Sequence, residues 1–188
     1  MLTNAFTDTL SDIRKAYQSA DAIVGELVID SSIQAPMMEA SVLKGTTLKE
    51  ILPDTLYDKA TAWFKEEAGM DLMQLNQLNP VTLMTIALAI TQQKYFPHDP
   101  NEIQLDTYFQ EQEKKAHKAI IGLETIDVQI KALFEQLTLE RQVALLDETL
   151  KEKNALREQI AIMGIAYVTQ DMKALYDLMY GSNYNQEE

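Results

Sequence analysis

Two short apolar runs in this 188-residue sequence end alike: Ala22-Ile-Val-Gly-Glu26 and Ala119-Ile-Ile-Gly-Leu-Glu124. Each has a glycine and then a carboxylate near its C-terminal end. Parallel strands bind ligands outside their carboxyl ends. Glu26 and Glu124 converging there could hold a hard cation or act as an acid/base pair. The plainer alternative is that each glutamate only ends its strand or caps the next helix, because motifs this short recur by chance.

Other chemistry has little footing. His98 sits in a Pro/Asp loop and His117 in the basic turn 114–118, so both are expected at the surface. The sequence contains no HxxxH or HExxH and therefore no complete zinc site. It also lacks GxGxxG, a P-loop and a GxSxG elbow, which leaves nucleotide binding and serine hydrolysis without support. Cysteine is absent, which removes disulfides, thiolate metal sites and a thiol nucleophile. Met37, Met38, Met70, Met73 and Met84 read as adaptable core filling, with a Met-rich peptide groove as the alternative. The acidic stretches around Glu111–Glu113 and Glu148–Glu152 read as solvated helix faces.

The net charge of −13 is spread over both halves, with 12 acids against 7 bases in residues 1–94 and 17 against 9 in 95–188. No basic stripe is present for phosphates, so nucleic acid and anionic membranes are disfavoured as partners. The N-terminus has no basic start followed by an apolar run, unlike a signal peptide. The longest apolar stretch, Val81–Ile90, is half of the roughly 20 residues a membrane helix needs. An apolar share of 46% supports a sizeable core and, at this length, a single domain over 1–180 with a disordered tail at 181–188.

The elements that would position the glutamates are mostly helices. Phe6, Leu10, Ile13 and Tyr17 mark one face of a helix over Thr3–Ala20. Strands are expected at Ala22–Val28 and Ala119–Glu124. Between them, Ser31–Leu43 reads as a helix closed by Gly45, and Thr47-Leu-Lys-Glu50 as a capping box stopped by Pro53. Pro53–Ala68 reads as a helix capped by Gly69, and Asp71–Gln74 as a further turn. Asn79-Pro80 opens a helix running to Tyr95. The segment 97–101 reads as a loop and Leu105–His117 as a helix. From Thr125 onward helices dominate, with stripes at Leu139, Val143, Leu146 and Leu150, at Leu156, Ile160, Met163 and Tyr167, and at Leu175, Leu178 and Met179. Two strands separated by so long a helical excursion cannot form a hairpin and are expected to be parallel. The fold class is thus α/β, strongly helix-dominated, with roughly eight or nine helices around two strands. A two-stranded sheet is marginal alone, so it reads as part of a larger one.

From Ile103 to Leu150 the sequence is similar to the TraB/GumN family. Leu105-Asp-Thr-Tyr-Phe109, Lys114-Lys-Ala116 and Gly122-Leu-Glu-Thr125 with Gln129 carry the resemblance. The stretches 137–146, 166–175 and 20–26 extend it over nearly the whole chain. The resemblance implies an α/β fold related to Tiki-type proteases and the erythromycin esterase/ChaN-like group. It further implies a metal-dependent hydrolytic site, plausible for a peptidase, built from two Gly-x-x-His motifs and strand-end glutamates. On this carry-over Glu26 and Glu124 are the catalytic or metal-binding carboxylates, and Asp106 and Gln129 are supporting polar residues.

The sequence departs from that pattern, since none of its six glycines has histidine three residues later. The expectation is therefore a central piece of a longer protein, or a degenerate member, that is inactive by itself. Its full-length form would use Mn, Co or Zn on a peptide or protein substrate and be exported or lipid-anchored in a bacterium. Peptide sequestration on the helices between Leu48 and Tyr95, as the pheromone-shutdown relatives suggest, is the non-catalytic alternative. Pairing of two chains through exposed strand edges is the third.

Overall fold

The computed structural model describes residues 11–97, 101–151 and 153–180, with the side chains of 11–14, 153–156 and 180 left aside. In chain order the elements are α1 (Ser11–Ser19), β1 (Ala22–Gly25), α2 (Gln34–Ala40), α3 (Leu48–Ile51), α4 (Asp54–Ala68) and α5 (Pro80–Tyr95). They continue with α6 (Leu105–Ala116), β2 (Ala119–Gly122), α7 (Ile126–Ile130), α8 (Leu139–Lys151), α9 (Lys153–Val168) and α10 (Met172–Tyr180). Short 3-10 turns cover Ser31–Ile33 and Leu72–Leu75, and a π-helical stretch covers Lys131–Glu135. The helix-dominated α/β expectation holds among the described residues. Residues 3–10, the loop residues 98–100 with His98, and the tail 181–188 lie outside them.

Local signals explain several helix ends. Glu50 accepts the Thr47 N–H at 2.9 Å, closing the capping box. Asn79 Oδ1 accepts the Thr82 N–H at 2.8 Å ahead of Pro80 at the first helical position. Gly69 takes φ 65°, the left-handed cap that glycine adopts without a Cβ penalty. His117 closes α6 in the same conformation at φ 55°, although it has a Cβ. The helix expected over Ser31–Leu43 is shorter. Asp30 opens a 3-10 turn by accepting the Ser32 N–H at 2.8 Å, and α2 ends at Ala40, before Gly45.

The chain divides into two compact units, 1–42 with 98–138 and 43–97 with 139–188. The regular elements among the second unit's described residues are all helices. Its core joins Leu48, Leu56, Trp63 and Phe64 to Leu72 and Leu83, with Leu146 and Leu150 of α8 completing it. Lys59 of α4 donates to Asp147 of α8 at 2.8 Å at the edge of this core.

The first unit holds the sheet. β1 and β2 pair in parallel, Ala22 with Ala119, Ile23 with Ile120, Val24 with Ile121 and Gly25 with Gly122. Both strands are shorter than Ala22–Val28 and Ala119–Glu124. After Gly25 the chain bends, because the Gln110 side chain takes over its backbone: Nε2 donates to Leu27 O and Oε1 accepts the Ile29 N–H, both at 2.7 Å. After Gly122 the pairing survives only as Leu123 N–H to Gly25 O and Glu124 N–H to Glu26 O, each 2.9 Å, outside regular strand.

The paired glycines have a packing reason. A Cβ at Gly25 would come within 3.0 Å of Gln110 Nε2, and one at Gly122 within 3.2 Å of Val28 N. Helix α6 and the loop after β1 therefore approach the strand ends more closely than a side chain permits.

Candidate functional site

At the carboxyl ends of the strands the backbones of the two glutamates meet. The Glu124 N–H donates to the Glu26 carbonyl, so the two backbones touch where the strands stop. The register places Gly122 beside Gly25, so Leu123 falls next to Glu26 and Glu124 stands one step further out. Both side chains are exposed.

Gln129 completes the arrangement. Thr125 is the N-cap of α7, its hydroxyl accepting the Val128 N–H at 3.5 Å, and the Gln129 N–H donates to Thr125 O at 3.3 Å. One turn into the helix, Gln129 Nε2 donates to Glu26 Oε1 at 2.5 Å. The spacing from Thr125 to Gln129 is thus one cap followed by one turn, returning a side chain over the strand ends. Asp30 and Thr125 cap the helical turns after β1 and β2, so capping is not the role of either glutamate. The π-helical stretch directly after α7, with Gln136 N–H to Lys131 O at 2.9 Å, is a local irregularity of a kind often found near functional sites.

Asp106 lies in the first turn of α6 and is exposed. Among the described residues no hydrogen bond or ion pair joins it to Glu26, Glu124 or Gln129. His117 is an exposed helix cap. The described residues contain no group of three or more His, Cys, Asp or Glu side chains able to hold a metal. Two carboxylates supply at most part of a coordination shell, so the residues described do not complete a metal site.

The sequence reading missed what lies under the sheet. Lys114 Nζ donates to Ile29 O at 2.6 Å, beside the Gln110 clamp, and Lys118 Nζ donates to Ala20 O at 2.6 Å. Together they fasten the chain on both sides of β1. Glu113 is not on a solvated face. It is fully buried with the Tyr17 phenol beside it, no well-formed hydrogen bond among the described residues reaches either carboxylate oxygen, and Lys118 Nζ stands 4.0 Å away. Burial, and then the neighbouring Glu113 carboxyl, push the Tyr17 phenol up to about 12. A signal existed: Leu105, Phe109, Glu113 and Ala116 share one helical row, and that row is otherwise apolar or small.

The helices between Leu48 and Tyr95, expected to offer a peptide groove, spend Leu48, Leu56, Leu72 and Leu83 on their own core. Met84 packs against that core as filler, while Met38 and Met73 are exposed instead. The described residues contain no helix long and apolar enough to cross a membrane.

Across residues 1–188 the sequence matches the family model described as the TraB/PrgY/gumN family. No curated protein and no solved structure matches the chain.

Proposed function

The chain belongs to the TraB/PrgY/gumN family, and from that premise we propose that it carries the carboxylate half of a hydrolytic centre acting on peptides. The observation behind this reading is the Gln129–Glu26 hydrogen bond of 2.5 Å, made across 103 positions of sequence at the strand ends. A neutral amide fixes one oxygen of Glu26 without neutralising it, leaving the other oriented to accept a proton from water. Glu124, on the adjoining strand end, is the second acid/base group. Gln129 is a positioning residue. The remaining groups of the centre lie outside the described residues, and this chain alone is expected to be inactive.

The test is hydrolysis of a fluorogenic peptide mixture by the gene's full-length product, assayed with added Mn2+, Co2+ or Zn2+. Glu26→Gln and Glu124→Gln should each lower kcat at least about a hundredfold with little change in KM, the scale of a lost acid/base group. Gln129→Leu should lower kcat less than either glutamate variant, because it frees rather than removes Glu26. Unchanged kcat in both glutamate variants, or no hydrolysis by the wild type under any of these metals, would overturn the reading.

A further inference from the structure

Helix α9 poses a packing problem that its own unit does not solve. Residues 160–168, IAIMGIAYV, contain no charge, and a helix apolar on all sides is ordinarily a buried one. Of its described side chains, however, Ala166 alone is buried. Met163 and Tyr167, on one of the helical stripes noted in the sequence, are each half exposed. Ile165 is 65% exposed and Val168 69%, and across the turn into α10 Met172 is 72% and Met179 73% exposed. With Ile162, these side chains leave apolar surface open on several sides of α9 and along α10, and extensive exposed apolar surface on a globular domain marks an interaction site.

We propose that the hairpin of α9 and α10 is a homodimerisation surface, packing against the same two helices of a second copy about a two-fold axis. The charge distribution favours this occupant. Two chains of net charge −13 repel wherever their acidic faces meet. Residues 160–179 carry only Asp171, Lys173 and Asp177, and all three have local partners: Asp171 accepts the Ala174 N–H at 3.0 Å, and Lys173 pairs with Asp177 at 2.5 Å. Like surfaces can therefore meet here with little charge repulsion, as an isologous contact requires. A lipid surface fits poorly, because interfacial helices rely on Lys and Arg along the polar face and the only cation of this stretch is paired.

Sedimentation velocity across about 1–100 μM decides the matter, with the wild type expected to dimerise in that range. Ile165→Glu and Val168→Glu should each raise the dimer dissociation constant at least about a hundredfold, by forcing a carboxylate into an apolar contact. Both sites are exposed in the monomer, so far-UV circular dichroism should not change. Val24→Lys, on the exposed face of the sheet, should leave the dimer intact. A monomer throughout, a dimer indifferent to both glutamate variants, or a dimer lost only in Val24→Lys would overturn the proposal. So would flotation of the wild type with phosphatidylserine vesicles that Ile165→Glu abolishes.

Discussion

In the helical unit the fully buried large side chains are apolar: Leu48, Phe64, Leu72, Leu83 and Leu146. In the strand unit the buried side chains among those described are Gln110 and Glu113. The first arrangement is held by non-directional burial, which tolerates substitutions of similar volume. The second is held by a few directed contacts from one helix to the backbone on either side of β1. Such contacts fix geometry, because each has a required distance and angle, but a lost partner leaves a buried polar group unsatisfied. The unit with the weaker apolar core is also the one that presents Glu26, Glu124 and Gln129.

This contrast can be broken from either side. The largest effect is expected in the helical core, where Phe64→Ala should cost about 3–5 kcal/mol in urea unfolding, from lost burial and the cavity left behind. Gln110→Leu, nearly the same size, should cost about 2–3 kcal/mol by orphaning Leu27 O and Ile29 N–H. It should also raise hydrogen exchange at residues 26–29. If exchange there is unchanged, the clamp is not what bends the chain after Gly25. His117→Gly should stabilise by about 0.5–1 kcal/mol by relieving the left-handed cap, read as a higher urea midpoint. The last effect is confined to alkaline pH. Tyr17 keeps its proton to about 12 in the folded chain, while an unfolded tyrosine loses it near 10. The unfolded state therefore holds fewer protons between those values. The stability this contributes is present below about pH 10 and is lost as pH rises to about 12. Tyr17→Phe should flatten that slope and remove a phenolate ionising near pH 12 from an ultraviolet titration.

Several features were legible because they are local. The Thr47–Glu50 capping box, Asn79-Pro80, the Gly69 cap and the glycine-then-carboxylate pattern of both strands involve residues within a turn of one another. The parallel pairing followed from the length of the connection alone. The strand lengths were not legible. Val28 and Ile29 have the composition of strand, but Gln110, 81 positions beyond Ile29, claims the Ile29 N–H. Glu113 was misjudged for a related reason. Its row on α6 was visible, but whether that row faces the sheet depends on how the helix is fastened, which Lys114 and Lys118 do through Ile29 and Ala20.

The sequence by itself determined the helix-dominated α/β class, the parallel strands, the family and the choice of Glu26, Glu124 and Gln129 as the residues to watch. The class, the pairing and the two glutamates depend on spacing within one element or on the least a connection must span, whereas the family and Gln129 rest on the resemblance carried by the segments 20–26 and 103–150. Only the tertiary structure decided that Gln129 reaches Glu26 while, among the described residues, no bond joins Asp106 to them. It alone decided that Gln110 cuts β1 short and that the apolar α9 is left open. Each of these depends on which distant group arrives first at a backbone amide or an apolar face, and periodicity along the chain does not encode that.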